Sequence, residues 1–201
     1  MLPTILPYKK STDKPAVYPI FAYGQPVLKQ IAQDIPADHP DLPYLVESMF
    51  ETMYNAKGVG LAGPQIGINY RIFVIDSTPF YQDEDGKVQG NPEKMAIINA
   101  QKIEEEGDEF AFQEGCLSIP GVTGDVYRPD TIKVKYLDEH FKEHTRIFKG
   151  MNARVIQHEY DHIDGILFTE LVGPLKKQRI RNKLAKIKKG KTDADYQMVF
   201  I

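Results

Sequence analysis

The chain is organised around one stretch, Gln157-His158-Glu159-Tyr160-Asp161-His162-Ile163-Asp164-Gly165, which contains the pattern H-E-x-x-H. Four residues make about one helical turn, so the imidazoles of His158 and His162 lie on one face of a helix. At that spacing both rings can bind one metal ion, and Glu159 can reach a water at that ion. The pattern predicts a buried metal-binding helix over residues 151–164, ended by Gly165.

The third ligand of this site is not decided by the helix. A catalytic zinc-type site takes three protein ligands and keeps one position open. In the metzincin pattern a histidine follows the second one by six residues, but Phe168 stands there. Two candidates remain: Glu170, as in a thermolysin-like zinc endopeptidase, and Cys116, the only cysteine of the chain.

Length and composition predict a single globular domain, residues 1–201. Of the 201 residues, 42% are hydrophobic and 26% charged, as is usual for soluble proteins. No apolar run approaches the ~20 residues that span a bilayer. The start is apolar but interrupted by prolines and lacks a charged region, so we predict no signal peptide and no membrane partner. A single cysteine excludes an internal disulfide and is compatible with a cytoplasmic location.

The formal net charge of −3 hides two opposite runs. Residues 176–191 hold nine lysines or arginines and no acid, whereas five of the six residues 104–109 are acidic. Both runs are most simply interpreted as solvated surface. A competing hypothesis is a non-catalytic protein that binds RNA or the ribosome through a basic C-terminal helix, residues 174–190.

Hydrophobic periodicity predicts an α+β fold, because strands cluster in the middle of the chain and helices lie apart from them. Residues 1–20, with four prolines, suggest an extended arm, and the polar segment 79–92 a surface loop. The predicted helices are residues 39–57, 151–164 and 174–189. The predicted strands are residues 71–76, 95–99 with 101–103, 131–137, 144–148 and a short one at 168–172.

Three segments together resemble the bacterial peptide deformylases. They are Gly58-Val59-Gly60-Leu61-Ala62-Gly63-Pro64-Gln65, Glu114-Gly115-Cys116-Leu117-Ser118 and Gln157-His158-Glu159-Tyr160-Asp161-His162, in the order and approximate spacing of that family. The resemblance implies an α+β fold in which antiparallel and mixed β-sheets surround a central helix that carries H-E-x-x-H. It also implies an activity: removal of formate from the N-terminal formylmethionine of newly made polypeptides.

The resemblance implies a metal site and a general base. Cys116, His158 and His162 match the family's metal ligands, with a water as fourth ligand, and Glu159 matches its general base and acid. The implied cofactor is one divalent ion, ferrous iron (Fe²⁺), for which zinc (Zn²⁺) or nickel (Ni²⁺) can substitute. Thiolate ligation by Cys116 lowers the net charge of the site, so Glu159 is expected to assist by accepting a proton from water.

The resemblance also implies how the substrate is held. The side chain of Gln65 and the backbone N–H of Leu117 match the donors to the developing oxyanion. Val59, Gly60 and Gly115 are expected to form main-chain hydrogen bonds with the formylated peptide, which would lie as an added strand. The glycines are expected to leave room for it. The implied partners are N-formylmethionyl nascent peptides, with ribosome contact through the basic helix and no DNA.

Overall fold

The computed structural model describes residues 14–39 and 41–201. The extended arm predicted for residues 1–20 therefore falls largely outside the described residues. The first strand, β1, is Ile20–Phe21, and it pairs in parallel with the last strand, β7, Met198–Val199. The two ends of the described chain thus meet in a small two-stranded sheet.

The main sheet has five strands in the order β2-β3-β4-β5-β6, and neighbouring strands run antiparallel. The strands are β2 Gly60–Ala62, β3 Ile72–Asp76, β4 Lys94–Gly115, β5 Thr123–Leu137 and β6 Glu143–Lys149. Sequential strands are spatial neighbours, as is usual for antiparallel sheets, and the longest connection, residues 77–93, joins β3 to β4. β2 lies at one edge of this sheet, and its outer side is not paired with another strand there.

Three longer helices surround this sheet in the described part of the chain: α1 Leu42–Asn55, α2 Gly150–Ile163 and α3 Pro174–Lys188. α1 and α2 pack into two separate hydrophobic clusters that share the sheet. α2 buries Ala153, Ile156 and Ile163 against strand residues that include Phe73 and Ile132. The predicted α+β fold around a central H-E-x-x-H helix is confirmed. None of the described helices has the length and apolarity to cross a bilayer.

The acidic run lies inside a strand, although the strand predicted from the sequence ends before it, at residue 103. β4 continues through residues 104–109, whose side chains are exposed, and pairs with β5 by way of three register shifts. Glu104 faces Lys133 across the two strands, and such opposite charges stabilise a pair. Gly107, with a φ of 91°, lies at the register shift between Glu106 and Glu109 and permits a bulge there.

The short strand predicted at residues 168–172 is wrong. Phe168–Glu170 instead form one turn of 3₁₀ helix, because the Glu170 carboxylate caps it by accepting a hydrogen bond from the Leu167 N–H at 2.9 Å. The buried ring of Phe168 stacks near that of His158, with 6.2 Å between their centroids. The turn therefore packs against α2 at His158. The predicted loop at 79–92 is confirmed in outline, with a 3₁₀ turn at Thr78–Tyr81.

Gly165 ends α2 in a left-handed conformation, and a substitution there tests how tightly this end is packed. Its φ is 73°, and an added Cβ would lie 2.9 Å from the backbone of Lys29. We expect Gly165→Ala to lower the free energy of unfolding by roughly 2–4 kcal/mol, from backbone strain plus the contact. Urea denaturation measures this loss.

The matched control is Gly86→Ala. Gly86 has a similar φ of 76° but nothing within 4 Å of an added Cβ. Gly86→Ala should lower the free energy of unfolding by only about 1–2 kcal/mol, the cost of a non-glycine residue in a left-handed conformation. Equal losses at both positions would mean that the packing against Lys29 does not matter.

Candidate metal centre

Three side chains from two distant parts of the chain converge at the centre of the fold. His158 and His162 project from one face of α2, and Cys116 follows the end of β4. One ligand atom of each residue lies within 4.8 Å of the others. The Cys116 Sγ and the His162 Nε2 are 3.3 Å apart. The sulfur expected to complete the site is therefore adjacent to the two imidazoles.

This set of donors fits a transition-metal ion. One thiolate and two imidazoles suit zinc or iron, and three protein donors leave a position open. His162 is fully buried, and its Nδ1 has no hydrogen-bond partner among the described residues. Burial and the neighbouring charge of His158 lower the pKa of His162 well below its ordinary value, so this ring is kept neutral, as a ligand must be.

Glu114 holds the first histidine in place. Its carboxylate is buried and lies 2.8 Å from the His158 Nδ1, which leaves the other ring nitrogen of His158 to face the cluster. Burial alone would raise the pKa of Glu114, but hydrogen bonds from His158 and Arg128 hold the pKa of this carboxyl well below its usual range. A permanently ionised Glu114 fixes the orientation of His158 and increases its basicity.

Two buried arginines balance the charge of Glu114. Arg128 on β5 donates to it from Nε at 2.8 Å and from a terminal nitrogen at 3.1 Å. Arg154 on α2 donates at 3.1 Å, and Arg128 also donates to Asp161 at 2.7 Å. Sequence analysis missed both arginines. The sequence held one indication of the role of Arg154, since it precedes His158 by four residues and so lies on the same face of the helix. It held no indication of the role of Arg128.

Glu159 differs from Glu114 because it has no cation beside its carboxylate. It is buried, and its Oε2 has no hydrogen-bond partner among the described residues. Burial raises the pKa of Glu159 to about 7. Gly60 on β2 lies directly against this carboxylate, so an added Cβ there would collide with it. The expectation that this glycine leaves room for substrate stays a prediction, and the structure adds a second reason for it: the glycine makes room for Glu159.

The Gln65 side chain lies beside the cysteine. It is buried in a 3₁₀ turn, Gly63–Ile66, where its Oε1 accepts a hydrogen bond from the Ala62 N–H at 2.8 Å. This bond turns the amide nitrogen toward Cys116 Sγ and Ser118 Oγ, each 3.4 Å away. At those distances the amide N–H is weakly engaged and can donate to another acceptor.

A cleft of about 510 Å³ opens onto this cluster. Its walls contain all the residues predicted to touch the peptide, and they come from β2, the end of β4, α2 and the C-terminal segment. Those that sequence analysis named are Val59, Gly60, Gln65, Gly115, Cys116, Leu117, His158 and Glu159. The outer edge of β2 borders the cleft, so an extended peptide can approach an unpaired strand there.

The alternative third ligand is committed elsewhere. Glu170 caps its own turn and forms an ion pair with Lys29 at 2.7 Å. It does not join the cluster of metal-ligating atoms found among the described residues. His144 lies in β6, at the edge of the sheet opposite β2, and pairs with Asp138 at 2.7 Å.

Comparisons with known proteins agree with this geometry. A model of the polypeptide deformylase family matches residues 17–178. The chain is similar to the peptide deformylase of Christiangramia forsetii, with 52% identity over 92% of this chain and 96% of that one. It is similar to that of Flavobacterium johnsoniae, with 50% identity over the same shares. The structure resembles the peptide deformylase of Thermus thermophilus, with a TM-score of 0.76, 37% identity and coverage of 88% of this chain and 100% of that one.

The contact between Glu114 and His158 leads to a prediction about metal affinity. In Glu114→Gln a neutral amide faces two arginines and an imidazole, so His158 is oriented less firmly. We expect affinity for Zn²⁺ to fall about 10–100-fold, as is typical when the partner of a ligating histidine is lost. Competition with a chromophoric chelator measures the affinity.

Glu105→Gln is the control for that variant. Glu105 lies on the same strand and accepts hydrogen bonds from Gln157 and Lys102 at 3.1 Å and 2.8 Å, but it does not contact His158. Its affinity for Zn²⁺ should match the parent protein. An unchanged affinity in Glu114→Gln would contradict the orienting role.

Proposed function

The chain belongs to the polypeptide deformylase family and removes the formyl group from N-formylmethionyl peptides, and we propose that Cys116, His158 and His162 hold the metal ion on which this reaction depends. The convergence of these three ligand atoms beside the unpaired carboxylate of Glu159 supports the assignment most strongly. The resemblance to the family supports Fe²⁺ as the resident ion, and thiolate and imidazole ligands also accept Zn²⁺ or Ni²⁺ as substitutes.

When bound, a divalent ion supplies Lewis acidity, which makes water more acidic and polarises a carbonyl oxygen. Glu159 takes the proton of the attacking water. A carboxyl whose pKa burial raises to about 7 is well matched to accept a proton at neutral pH and release it in the same cycle. Oxygen adds to the formyl carbon, the carbon–nitrogen bond breaks, and Glu159 passes its proton to the leaving amine. The products are formate and a free amino terminus.

Gln65 and Leu117 stabilise the negative charge that develops on the formyl oxygen. The Gln65 amide is already oriented by its bond to the Ala62 N–H, so it needs no rearrangement. No group among the described residues accepts a hydrogen bond from the Leu117 N–H. Preorganised donors of this kind are each worth about 3 kcal/mol in the transition state.

The peptide lies along the outer edge of β2. Its hydrogen bonds are formed by main-chain groups of Val59 and Gly60 on one side and of Gly115 on the other. These bonds recognise an extended peptide backbone and do not depend on the peptide's side chains. With the formyl group beside Glu159, the peptide runs from Gly60 back past Gly58. An apolar part of the cleft, lined by Phe112 and Val155, receives the methionine side chain.

The whole chain, residues 1–201, acts as one catalytic domain on nascent peptides in the cytoplasm. The free thiol of Cys116 suits a reducing compartment. α3 carries most of the basic run, and its cationic residues are exposed except for the partly buried Lys176. This surface attracts ribosomal phosphates and brings the cleft to its substrate.

Replacing Glu159 tests the chemical role. With Fe²⁺ loaded anaerobically, Glu159→Ala should bind metal as the parent does but release formate from a formyl-Met peptide at least about 100-fold more slowly, because it lacks the proton acceptor. Cys116→Ala should instead lose the metal. Metal content and formate release are measured on the same samples.

Glu170→Ala separates the two candidate ligand sets. If Cys116 is the ligand, this variant keeps both its metal and its turnover. Retention of metal by Cys116→Ala together with its loss from Glu170→Ala would favour the endopeptidase type of site. Equal turnover by Glu159→Ala and the parent would refute the proposed base.

Neutralising exposed cations tests the ribosome contact. The triple variant Lys177→Gln, Arg181→Gln, Lys189→Gln should sediment less with ribosomes, and the slope of log affinity against log salt should fall by about 2–3. The triple variant Lys87→Gln, Lys142→Gln, Lys149→Gln changes the same net charge elsewhere on the surface and should bind as the parent does. Equal effects of both triples would argue against a specific role of α3.

A further inference from the structure

After α3 the chain turns back to the catalytic cleft. β7 forms backbone hydrogen bonds with the β1 region, from the Ile20 N–H to the Gln197 carbonyl and from the Ala22 N–H to the Val199 carbonyl, each at 2.9 Å. Gln25 also donates to the Phe200 carbonyl at 2.7 Å. The preceding residues, Asp193–Tyr196, line the cleft. The segment is therefore held at its far end while its near end borders the substrate site.

Tyr196 joins this segment to the residue expected to bind the oxyanion. Its hydroxyl donates to the Leu117 carbonyl at 2.7 Å. The partly buried Tyr196 ring and the Leu117 side chain both pack against the hydrophobic cluster that includes α1. Beside it, Asp195 pairs with Lys57, which directly precedes the glycine-rich stretch at the other side of the cleft. The segment thus contacts both walls of the site.

The peptide planes around Leu117 are each restrained by one bond. The Cys116 carbonyl accepts a hydrogen bond from the Ile119 N–H at 2.8 Å, which holds the plane that contains the Leu117 N–H. The next plane, which contains the Leu117 carbonyl, is held by Tyr196 alone among the described residues. Since Leu117 lies in a turn and not in a strand, no ladder of hydrogen bonds replaces that restraint.

We propose that Tyr196 is a positioning residue for deformylation: its hydroxyl fixes the backbone of Leu117 so that the Leu117 N–H is directed at the developing oxyanion. The inference rests on the proposed role of Leu117 in the reaction. It assigns a function to a segment that follows the matched family region, residues 17–178. The C-terminal segment is accordingly part of the active site, in addition to pairing with β1.

Tyr196→Phe tests this, because it removes one hydroxyl and keeps the ring. Misdirecting one oxyanion donor should cost less than deleting it, so we expect kcat to fall about tenfold. KM for a formyl-Met peptide should stay within about twofold, since a donor used only in the transition state does not bind the ground state. Amide hydrogen exchange in residues 116–119 should become faster.

Tyr54→Phe is the matched control. Tyr54 also donates a single hydroxyl hydrogen bond, to Asp76 at 2.6 Å, but it lies outside the cleft. Its kcat, KM and exchange in residues 116–119 should match the parent protein. Metal content and the thermal midpoint are measured for both variants.

A kcat of Tyr196→Phe within about twofold of the parent, or unchanged exchange, would overturn the inference while leaving the proposed function intact. A loss of activity explained by a lower metal content or by a rise in KM would also overturn it, in favour of a purely structural role. Failure of the metal-loaded parent itself to release formate would refute the proposed function, and the inference with it.

Discussion

The structure depends on keeping one buried carboxylate charged. Glu114 comes from the end of β4, and its partners Arg128, Arg154 and His158 come from β5 and α2. A buried charge without partners is strongly unfavourable, so these elements must meet before the carboxylate can be buried. Cys116 follows Glu114 by two residues. The interaction that aligns the sheet with α2 therefore also sets the distance between the sulfur and the imidazoles.

Two carboxylates flank His158 and behave in opposite ways. His158 and Arg128 hold the pKa of Glu114 below its usual range, whereas burial raises the pKa of Glu159 to about 7. The difference comes from the arginines, which reach one carboxylate and not the other. Pairs of acidic groups whose pKa values are driven apart commonly divide the work of orienting and of proton transfer. Here the ionised Glu114 orients His158, and Glu159 faces the cleft.

The fold class and the H-E-x-x-H helix could be predicted because their signals are local. Helical spacing places His158 and His162 on one face whatever the rest of the chain does. By contrast, the third ligand depends on contacts between distant segments, and from residue types alone Glu170 and Cys116 were equivalent. The same limit hid Arg128, and it hid Tyr196, whose partner is 79 residues away. The strand through the acidic run was missed because its stability comes from pairing with β5 and not from its own composition.

The short edge strand explains why such a site acts on chain ends. Exposed edges normally invite pairing with other chains, and proteins protect them by keeping them short. β2 has three residues, and at its Ala62 end the chain turns at once into the Gly63–Ile66 turn. At Gly60 the Glu159 carboxylate lies against one face of the strand, where an added Cβ would collide with it. In the binding mode proposed above, a peptide laid on this edge extends only past Gly58, so its terminal formyl group, and not an internal amide, is the group that reaches Glu159.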